Sequence, residues 1–246
     1  MKQRIFTTLG VEKIAKNTYD IRLSGDTQGI DRPGQFVNIA LEGLYLRRPI
    51  SVCDVEGENL RLIFKAVGRG TEKLAAAAPG TKFDVLTGLG NGYDLSLAGD
   101  SPVLIGGGAG LPPMYLLARE LIALGKKVTV IAGFNSADEI FLTDDLAALG
   151  ARVIVCTADG SVGTRGFVTN ALEALSGTYT HVYTCGPEPM LKAIYKASKT
   201  SGQFSFEERM GCGFGACMGC SCKTVTGYKR ICKDGPVLGK EEILWS

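Results

Sequence analysis

Four cysteines near the end of the chain have the spacing of a metal-cluster site. Cys212, Cys217 and Cys220 follow a C-x4-C-x2-C pattern, and Cys232 comes shortly after them. Four thiolates can hold a [2Fe–2S] cluster, and this opening spacing is typical of one class of such sites. Glycine is frequent between these cysteines, and it lets a loop turn tightly and bring N–H groups close to sulfur. A protein that holds such a cluster transfers electrons one at a time.

Zinc is the main alternative occupant, because structural zinc sites also use four cysteines and C-x2-C pairs. Zinc ribbons usually keep two such pairs well apart, whereas three of these cysteines crowd one loop, which favours iron and sulfur. Disulfides are disfavoured because Lys2 and Arg4 interrupt the N-terminus, which does not resemble a secretory leader. Cys222 lies just after Cys220 and is a second candidate for the fourth ligand, and we favour Cys232 for that place.

Composition limits the class of protein. The chain has 246 residues, of which 45% are hydrophobic, enough for two domains with cores of their own. A net charge of +2 does not favour a nucleic acid or an acidic membrane surface as a partner. The apolar stretch 114–124 is too short to span a membrane. The remaining cysteines suit a reducing compartment, so we expect a cytoplasmic protein.

The first 98 residues have the pattern of a small antiparallel barrel or sandwich. Short runs of alternating or β-branched residues recur in this region, and turn residues separate them. The predicted strands are 18–23, 35–41, 49–55, 59–67 and 81–87. Strands at this spacing predict an all-β domain over residues 1–98.

The pattern changes after residue 98 and predicts a doubly wound parallel sheet over residues 99–202. Apolar runs alternate there with helical segments, as in proteins whose strands alternate with helices. The predicted strands are 103–105, 128–132, 152–156 and 181–184, and the predicted helices are 113–124, 142–149, 167–175 and 188–198. The alternation stops near residue 203, where the cysteine-rich region 203–246 begins.

Two turns in the predicted sheet have the character of nucleotide-binding turns. The glycine-rich segment 106–113 follows a strand and leads into a helix, and Gly108 and Gly110 let a phosphate approach the backbone. The second turn, Cys185-Gly186-Pro187, follows an apolar strand end, where open α/β sheets bind their ligands. Either turn, taken alone, also fits a plain connection from a strand to a helix.

The barrel region contains a third set of candidate ligand residues. The segment Arg48-Pro49-Ile50-Ser51 places a guanidinium close to a hydroxyl, and arginine can bind a diphosphate through two hydrogen bonds. Gly70 and Thr71 begin a helix-like segment whose N–H groups could bind a phosphate. Taken alone, the arginine also fits a solvated strand edge, and Thr71 fits a helix cap.

Together and in this order, the motifs resemble those of the ferredoxin–NADP reductase superfamily. That superfamily has a flavin-binding barrel followed by a nicotinamide-nucleotide domain. Its R-x-Y-S flavin motif matches Arg48 and Ser51, with Ile50 in place of the tyrosine, and its glycine-rich and C-G-P turns match the two turns above. The resemblance also places the strand Ile63-Phe64-Lys65 along the flavin.

The cysteine-rich region narrows the resemblance to one family. Segments 207–212 and 232–237 and the cysteine spacing resemble those of the electron-transfer subunits of class 1B dihydroorotate dehydrogenases. Segments 46–51 and 106–113 match as well, so the resemblance covers nearly the whole chain. It implies FAD, a [2Fe–2S] cluster, NAD and a heterotetramer with two of each subunit, in which an FMN-containing partner oxidises dihydroorotate.

The chemistry of the residues is compatible with an electron conduit. The single histidine, His181, is expected in a buried strand, and no acid–base pair is visible, so no catalytic residue is predicted on this chain. A nicotinamide gives or takes a hydride and a cluster exchanges single electrons, so a flavin is needed between them. We therefore expect electrons from dihydroorotate to pass through the partner's FMN, the cluster and FAD to NAD+ in pyrimidine biosynthesis.

Two alternative functions fit the same motifs. A related flavin and iron–sulfur subunit would pass electrons between NAD(P)H and a partner such as ferredoxin. A zinc-stabilised nucleotide-binding module without redox activity would be colourless, whereas flavins and iron–sulfur clusters absorb visible light. The segment 133–136, after the second predicted strand of the sheet, contains no arginine for a 2′-phosphate, which favours NAD over NADP.

Overall fold

The N-terminal region forms a closed antiparallel barrel of six strands in the computed structural model, which describes residues 1–245. The strands are β1 (Lys2–Ala15), β2 (Thr18–Ser24), β3 (Phe36–Ile39), β4 (Arg48–Glu56), β5 (Asn59–Lys65) and β6 (Lys82–Leu89). Their order around the barrel is β1-β2-β5-β4-β3-β6, and β6 pairs with β1 to close it. Ile21, Val52 and Leu62 are among the fully buried residues of its core. The predicted barrel is therefore confirmed.

The longest strand of the barrel, β1, is not among the strands that the sequence predicts. Only Phe6 and Thr8 of this strand are buried, so it lacks the repeated alternation of apolar and polar residues by which a strand is recognised. Its stability comes from pairing with β2 on one side and β6 on the other. This double pairing removes both free edges of the barrel sheet.

The rest of the chain contains nine strands and four helices among the described residues, after a short helix α1 (Arg69–Ala75) in the barrel. The strands are β7 (Val103–Gly107), β8 (Thr129–Phe134), β9 (Arg152–Thr157), β10 (Thr164–Arg165), β11 (Val182–Cys185), β12 (Gly202–Ser205), β13 (Ser221–Thr224), β14 (Gly227–Arg230) and β15 (Val237–Gly239). The helices are α2 (Pro112–Ala123), α3 (Thr143–Ala148), α4 (Val168–Ala174) and α5 (Glu188–Ala197).

Seven of these strands form one sheet in the order β10-β9-β8-β7-β11-β12-β15, with helices on both faces. Helices α2 and α3 pack on the face that carries Leu104 and Val130, and α4 and α5 pack on the face that carries Ile105 and Val182. The central strands β7 and β11 are buried along their whole length, which explains their continuous apolar sequence. The predicted parallel sheet is confirmed.

The cysteine-rich segment leaves this sheet and returns to it. Strand β12 is parallel to β11, and β15 then pairs with β12 in the antiparallel direction, with Phe204 opposite Leu238. The cysteines and the hairpin β13–β14 lie between these two strands in the chain, and the boundary predicted at residue 203 falls within β12. Near the C-terminus, the Trp245 ring lies 5.2 Å from Phe206 and 5.7 Å from Tyr195. Ser246, the last residue of the predicted region, lies outside the described residues.

Polar contacts join the barrel to the sheet. On one side, Arg119 of α2 pairs with Asp54 of β4 and donates to the Val55 carbonyl at 3.2 Å. On the other side, Lys65 Nζ lies 3.0 Å from Glu139 Oε2, which belongs to the segment after β8. In residues 1–245, no helix is both long and apolar enough to cross a membrane.

Candidate functional site

The four motif cysteines lie as two pairs of neighbouring sulfurs. Cys212 Sγ accepts hydrogen bonds from the N–H groups of Ala216 at 3.3 Å and Cys217 at 3.4 Å. Cys217 Sγ accepts in turn from the Cys212 N–H at 3.5 Å. In the second pair, the buried Cys232 donates its N–H to Cys220 Sγ at 3.4 Å. Two sulfurs per iron is the ligand division of a two-iron cluster, so this donor set fits that group.

The electrostatics of these thiols suit ligands of a positively charged group. Burial opposes ionisation of Cys212, but hydrogen bonds from the N–H groups of Cys217, Phe214 and Ala216 outweigh it and lower the pKa of its thiol to about 6. Burial, together with the neighbouring Cys220, raises the pKa of Cys232 to about 12. A metal ion would relieve this repulsion between sulfurs, because thiolates are the form that binds metals. Among residues 1–245, no three candidate ligands are arranged around one ion position.

Cys222 faces a different environment from the four motif cysteines. It lies on β13 opposite Lys229, is half-buried, and lines a cavity of about 130 Å³ with Glu208 and Trp245. The Cys232 N–H, by contrast, is bonded to the sulfur of Cys220. Of the two cysteines, Cys232 is the one whose N–H lies on a sulfur of the motif, and its role as the fourth ligand stays a prediction.

The cysteine loop is attached directly to the barrel. Asn38 of β3 donates from Nδ2 to the Cys212 carbonyl at 3.4 Å. Gly213 has a positive φ of 79°, and a Cβ there would lie 2.2 Å from Asn38 Nδ2, so only glycine permits this approach. The other side of the loop is fixed by Arg230, which donates to the Gly215 carbonyl at 3.0 Å and pairs with Asp234. The cluster candidate therefore lies against the barrel.

The predicted flavin residues of the barrel meet at the start of α1. Arg48 projects from β4 across Gly70, where a Cβ would lie 2.1 Å from the guanidinium Nε, so a side chain at Gly70 would have to displace the Arg48 guanidinium. Thr71 Oγ1 accepts from the Val67 N–H at 2.9 Å and shapes the turn before the helix. The segment of Pro49, Ile50 and Ser51 continues β4, paired with β3 at Asn38, Val37 and Phe36 respectively.

The neighbouring arginine, Arg47, has a different role. Its guanidinium forms two hydrogen bonds with the Asp84 carboxylate, at 2.8 Å and 3.1 Å, and one with the Asn38 carbonyl at 3.3 Å. It therefore holds β3 against β6. Among the described residues, the Arg48 guanidinium bonds only to the backbone carbonyls of Leu46 and Arg47. Arg48 is the arginine of the two that has side-chain donors to spare for an anion.

The segment Ile63-Phe64-Lys65 ends β5 beside the cleft between barrel and sheet. Ile63 and Phe64 are buried, and only Lys65 reaches into the cleft, toward Glu139. Asn135 Nδ2 also donates to the Glu139 carboxylate at 3.0 Å. Burial opposes ionisation of Glu139, but the hydrogen bonds from Lys65 and Asn135 outweigh it and lower the pKa of the carboxyl group.

A cavity of about 550 Å³ opens at the carboxyl ends of β7, β8 and β11, where doubly wound sheets bind ligands. Gly108 and Pro187 of the two predicted turns line it. The turns also pack on each other, because a Cβ at Gly110 would lie 2.2 Å from the Cys185 carbonyl oxygen. Gly186 has a φ of 155°, and Cys185 is buried, which raises the pKa of its thiol to about 12. The structure therefore brings both turns to one site.

Sequence reasoning missed several residues that line this cavity. They are Phe134, Asn135, Glu139, Phe167, Met190 and Glu207. Phe167 is 71% exposed and forms one wall, so its ring is free to stack on a ligand. The sequence carries no local signal for this role, because the exposure of Phe167 follows only from the fold.

A larger and more open cleft of about 820 Å³ lies elsewhere between barrel and sheet. Arg32, Asp94 and Arg119 line it, and none of the predicted site residues does. Arg119 is occupied by Asp54, and the Asp94 carboxylate accepts from the Ser96 N–H and hydroxyl. The two cavities therefore differ in that the smaller one is lined by predicted site residues, among them Lys65, Gly108 and Pro187, and the larger one is not.

A closed barrel, a parallel sheet with a nucleotide cavity and a four-cysteine loop define an electron-transfer reductase with an added iron–sulfur region. The structure of an NADH-dependent reduced ferredoxin–NADP oxidoreductase, studied for flavin-based electron bifurcation, has a TM-score of 0.88 and 27% identity. That similarity covers 98% of this chain and 90% of the other. The ferredoxin NADP+ reductase of Neisseria gonorrhoeae shares the fold, with a TM-score of 0.68 and 19% identity over 80% of this chain and 90% of the other.

Comparisons of sequence identify the family more specifically than the similarity to solved structures does. The family model of the iron–sulfur cluster binding domain of dihydroorotate dehydrogenase B matches residues 207–244, and that of the oxidoreductase NAD-binding domain matches residues 104–196. The dihydroorotate dehydrogenase B (NAD(+)) electron transfer subunit of Shouchella clausii is 41% identical over 99% of this chain and 98% of its own. That of Fusobacterium nucleatum is 44% identical over 92% of both. This chain belongs to the family of dihydroorotate dehydrogenase B electron transfer subunits.

Proposed function

We propose that this chain carries electrons from dihydroorotate oxidation on an FMN-containing partner subunit to NAD+, using a [2Fe–2S] cluster and FAD. The observation that supports it best is the attachment of the cysteine loop to the barrel through Asn38 and Cys212. This contact brings the proposed cluster ligands close to the proposed flavin site on the same barrel. When bound, the cluster supplies single-electron exchange, and FAD supplies exchange of both single electrons and hydride.

The barrel residues would hold FAD through its phosphates and its ring. Arg48 would bind the diphosphate, and the N–H groups of Gly70 and Thr71 would donate to it. Pro49, Ile50 and Ser51 would line the flavin along β4, and Ile63, Phe64 and Lys65 would line it along β5. Cys212, Cys217, Cys220 and Cys232 would bind the cluster. Domains 1–98, 99–202 and 203–246 are proposed as the FAD, NAD and cluster regions.

The sheet residues would bind the nicotinamide nucleotide. Gly108 and Gly110 would let the phosphates approach the backbone, and the Cys185-Gly186-Pro187 turn would contact the nicotinamide. Phe167 would stack on the adenine, because an exposed aromatic wall suits a base. The residues lining this cavity include no arginine within the described chain, which supports NAD over NADP.

The partner would be the catalytic dihydroorotate dehydrogenase subunit, in a cytoplasmic heterotetramer with two of each subunit. The names of the relatives describe an electron transfer subunit, which by its nature serves a catalytic one. Burial raises the pKa of the Cys185 thiol in the nucleotide turn to about 12, so this thiol is not ionised at neutral pH.

Reconstitution tests the proposal. The purified chain should show flavin and iron–sulfur absorption and should oxidise NADH with an artificial acceptor, but it should not oxidise dihydroorotate. Addition of the FMN-containing partner should produce dihydroorotate-dependent NAD+ reduction. The Cys232→Ser chain should lose that coupled reaction and keep NADH oxidation with a two-electron acceptor. Dihydroorotate oxidation by the chain alone would contradict the proposal.

A second candidate function is electron exchange with a ferredoxin. The similarity to the NADH-dependent reduced ferredoxin–NADP oxidoreductase structure, with a TM-score of 0.88, favours it as an alternative. The same preparation distinguishes the two. If reduced ferredoxin drives NAD+ reduction and the dihydroorotate-oxidising partner does not, ferredoxin is the physiological donor.

A further inference from the structure

Asn38 is the one polar residue of the strand β3, and its side chain lies against the cysteine region. The four residues of the strand are all buried. Val37 and Ile39 belong to the core of the barrel, whereas Phe36 packs in the same buried cluster as Cys232. Because successive side chains of a strand point to opposite faces, Asn38 lies with Phe36 on the outer face of the barrel.

The same outer face continues onto β4, which carries proposed flavin residues. Asn38 is directly opposite Pro49, and Phe36 is directly opposite Ser51. Directly opposed residues of antiparallel strands have their side chains on one face of the sheet. One surface of two paired strands therefore contacts the cysteine loop at Asn38 and presents residues proposed for FAD beside that contact.

The amide group of Asn38 has a partner for its nitrogen and none for its oxygen. Nδ2 donates to the Cys212 carbonyl at 3.4 Å. Oδ1 is buried and has no hydrogen-bond partner among residues 1–245. A buried acceptor without a partner costs free energy that an apolar side chain at this position would avoid. Packing of the barrel therefore does not account for an asparagine here, whereas the donor to the cysteine loop does.

We propose that Asn38 is a positioning residue for electron exchange between the cluster and FAD. The inference rests on the proposed function, because it takes Cys212 as a cluster ligand and β4 as part of the FAD site. NADH transfers a hydride, which carries two electrons, to FAD, and FAD then passes one electron to the oxidised cluster and keeps the other. Such transfer slows steeply as donor and acceptor move apart. Asn38 acts by fixing the Cys212 end of the loop and does not itself exchange electrons or protons.

The test measures this exchange in the full chain purified with its FAD and its cluster. After rapid mixing with NADH, bleaching of the flavin reports hydride transfer. The EPR signal of samples frozen at successive times reports the electron that reaches the cluster. Asn38→Leu keeps the size of the side chain and removes its donor. It should slow cluster reduction about tenfold and leave flavin bleaching within about twofold, since a misplacement on the order of 1 Å has large effects on rate.

A second variant breaks the same contact from the other side. Gly213→Ala adds a Cβ that would lie 2.2 Å from Asn38 Nδ2, so it displaces the amide while Asn38 itself is kept. It should slow cluster reduction in the same way, and it decides the question if Asn38→Leu loses its iron. Loss of the cluster from both variants would show that the contact serves only to retain the cluster, and would overturn the inference.

The matched control is Asn91→Leu. Asn91 also joins the cysteine region through its amide group, but it bonds to the backbone of Val237, which lies beyond the cysteines in the chain. This variant should melt at a lower temperature and reduce its cluster at the normal rate, whereas a merely structural role of Asn38 would make the two variants alike.

Redox titration completes the test, because a changed driving force would also alter the rate. The potentials of FAD and of the cluster in Asn38→Leu should equal those of the unsubstituted chain. Cluster reduction at the normal rate in Asn38→Leu, equal slowing in Asn91→Leu, or a slowing explained by a shifted potential would each overturn the inference. If NADH reduces the flavin but no cluster in the unsubstituted chain, the proposed function fails instead.

Discussion

At the scale of single residues, two adjacent arginines are expected to have different roles. Arg48 is proposed to bind the flavin, and Arg47 stabilises the barrel. Arg48 lies over Gly70 with side-chain donors to spare, whereas Arg47 is bound to Asp84. Arg48→Ala should cost about 1.5–3 kcal/mol of FAD binding, because a charge-assisted contact to the diphosphate is lost. Gel filtration at low protein concentration should then separate FAD from the chain while iron stays bound.

The matched variant Arg47→Ala should behave in the opposite way. It removes a half-buried ion pair and should lower the melting temperature by about 2–4 °C, with FAD retained. If Arg48→Ala keeps its FAD on dilution, Arg48 is only a strand-edge residue.

The fourth cluster ligand is a second question at this scale. Cys232 is buried with its N–H on Cys220 Sγ, whereas Cys222 lines a separate cavity. Cys232→Ser should lose the visible cluster bands and most of the iron, and Cys222→Ser should keep both. Iron analysis and absorption spectra of the two purified chains decide between them, and the reverse pattern would assign the ligand to Cys222.

Candidate site residues whose chemistry follows from local spacing could be proposed from the sequence, and cavity residues that depend on the fold could not. The cysteines, the Gly108–Gly110 turn and the Cys185-Gly186-Pro187 turn each carry their chemistry within a few positions. Phe167 and Glu207 reach the same cavity from just before α4 and from just after β12. No local pattern connects them, because only the parallel order of the strands brings their ends together.

At the scale of elements, the glycine-rich turn is held by direct contact with the strand β11. A Cβ at Gly110 would lie 2.2 Å from the Cys185 carbonyl oxygen and 2.6 Å from the Gly186 nitrogen, which are backbone atoms that cannot turn aside. Gly110→Ala should therefore force the two turns apart, costing about 1–3 kcal/mol of stability. The KM for NADH should rise strongly, since both turns line one cavity.

The control for this change is Gly10→Ala in β1, where an added Cβ meets nothing within 4 Å. It should leave the KM for NADH unchanged and keep or slightly raise stability, since alanine suits a strand better than glycine. Thermal unfolding and NADH kinetics of both variants provide the measurement. A normal KM in Gly110→Ala would show that the two turns do not need to touch.

Strands with a continuous run of buried apolar residues could be predicted from the sequence. Strands that are held mainly by pairing with their neighbours could not. Strands β7 and β11 were recognised because they are buried on both faces. Strand β1 was not predicted from the sequence, because its residues show no regular alternation of buried and exposed positions. Pairing with its two neighbours stabilises it instead. Strand β15 was not predicted, because its three residues are too few to show an alternation of apolar and polar side chains. They form a strand because they pair with the free edge of β12.

At the scale of the whole molecule, the cysteine region is part of the sheet that precedes it. Asn91 donates to the Val237 carbonyl at 2.8 Å and accepts from its N–H at 3.1 Å, and Trp245 packs on Phe206. A chain that ends at Pro236 should therefore lose β15, expose the edge of β12 and melt at a clearly lower temperature. Circular dichroism on heating provides the measurement.

The matched control is Cys222→Ser in the full-length chain, which changes the same region and keeps β15. Its melting temperature should equal that of the unsubstituted protein. An unchanged melting temperature in the shortened chain would mean that the last ten residues of the chain are an independent appendage.

The return of β15 to the sheet also sets an order of events during synthesis. Domains that lie first in a chain fold first as it leaves the ribosome, so the barrel can close while the rest is still being made. The nucleotide sheet cannot be completed until residues 237–239 emerge, and by then every cysteine of the loop has already been translated. A message that stops early therefore yields a chain with an open sheet edge, which proteases and chaperones recognise. An open β12 edge would therefore mark a chain made without its complete cysteine region.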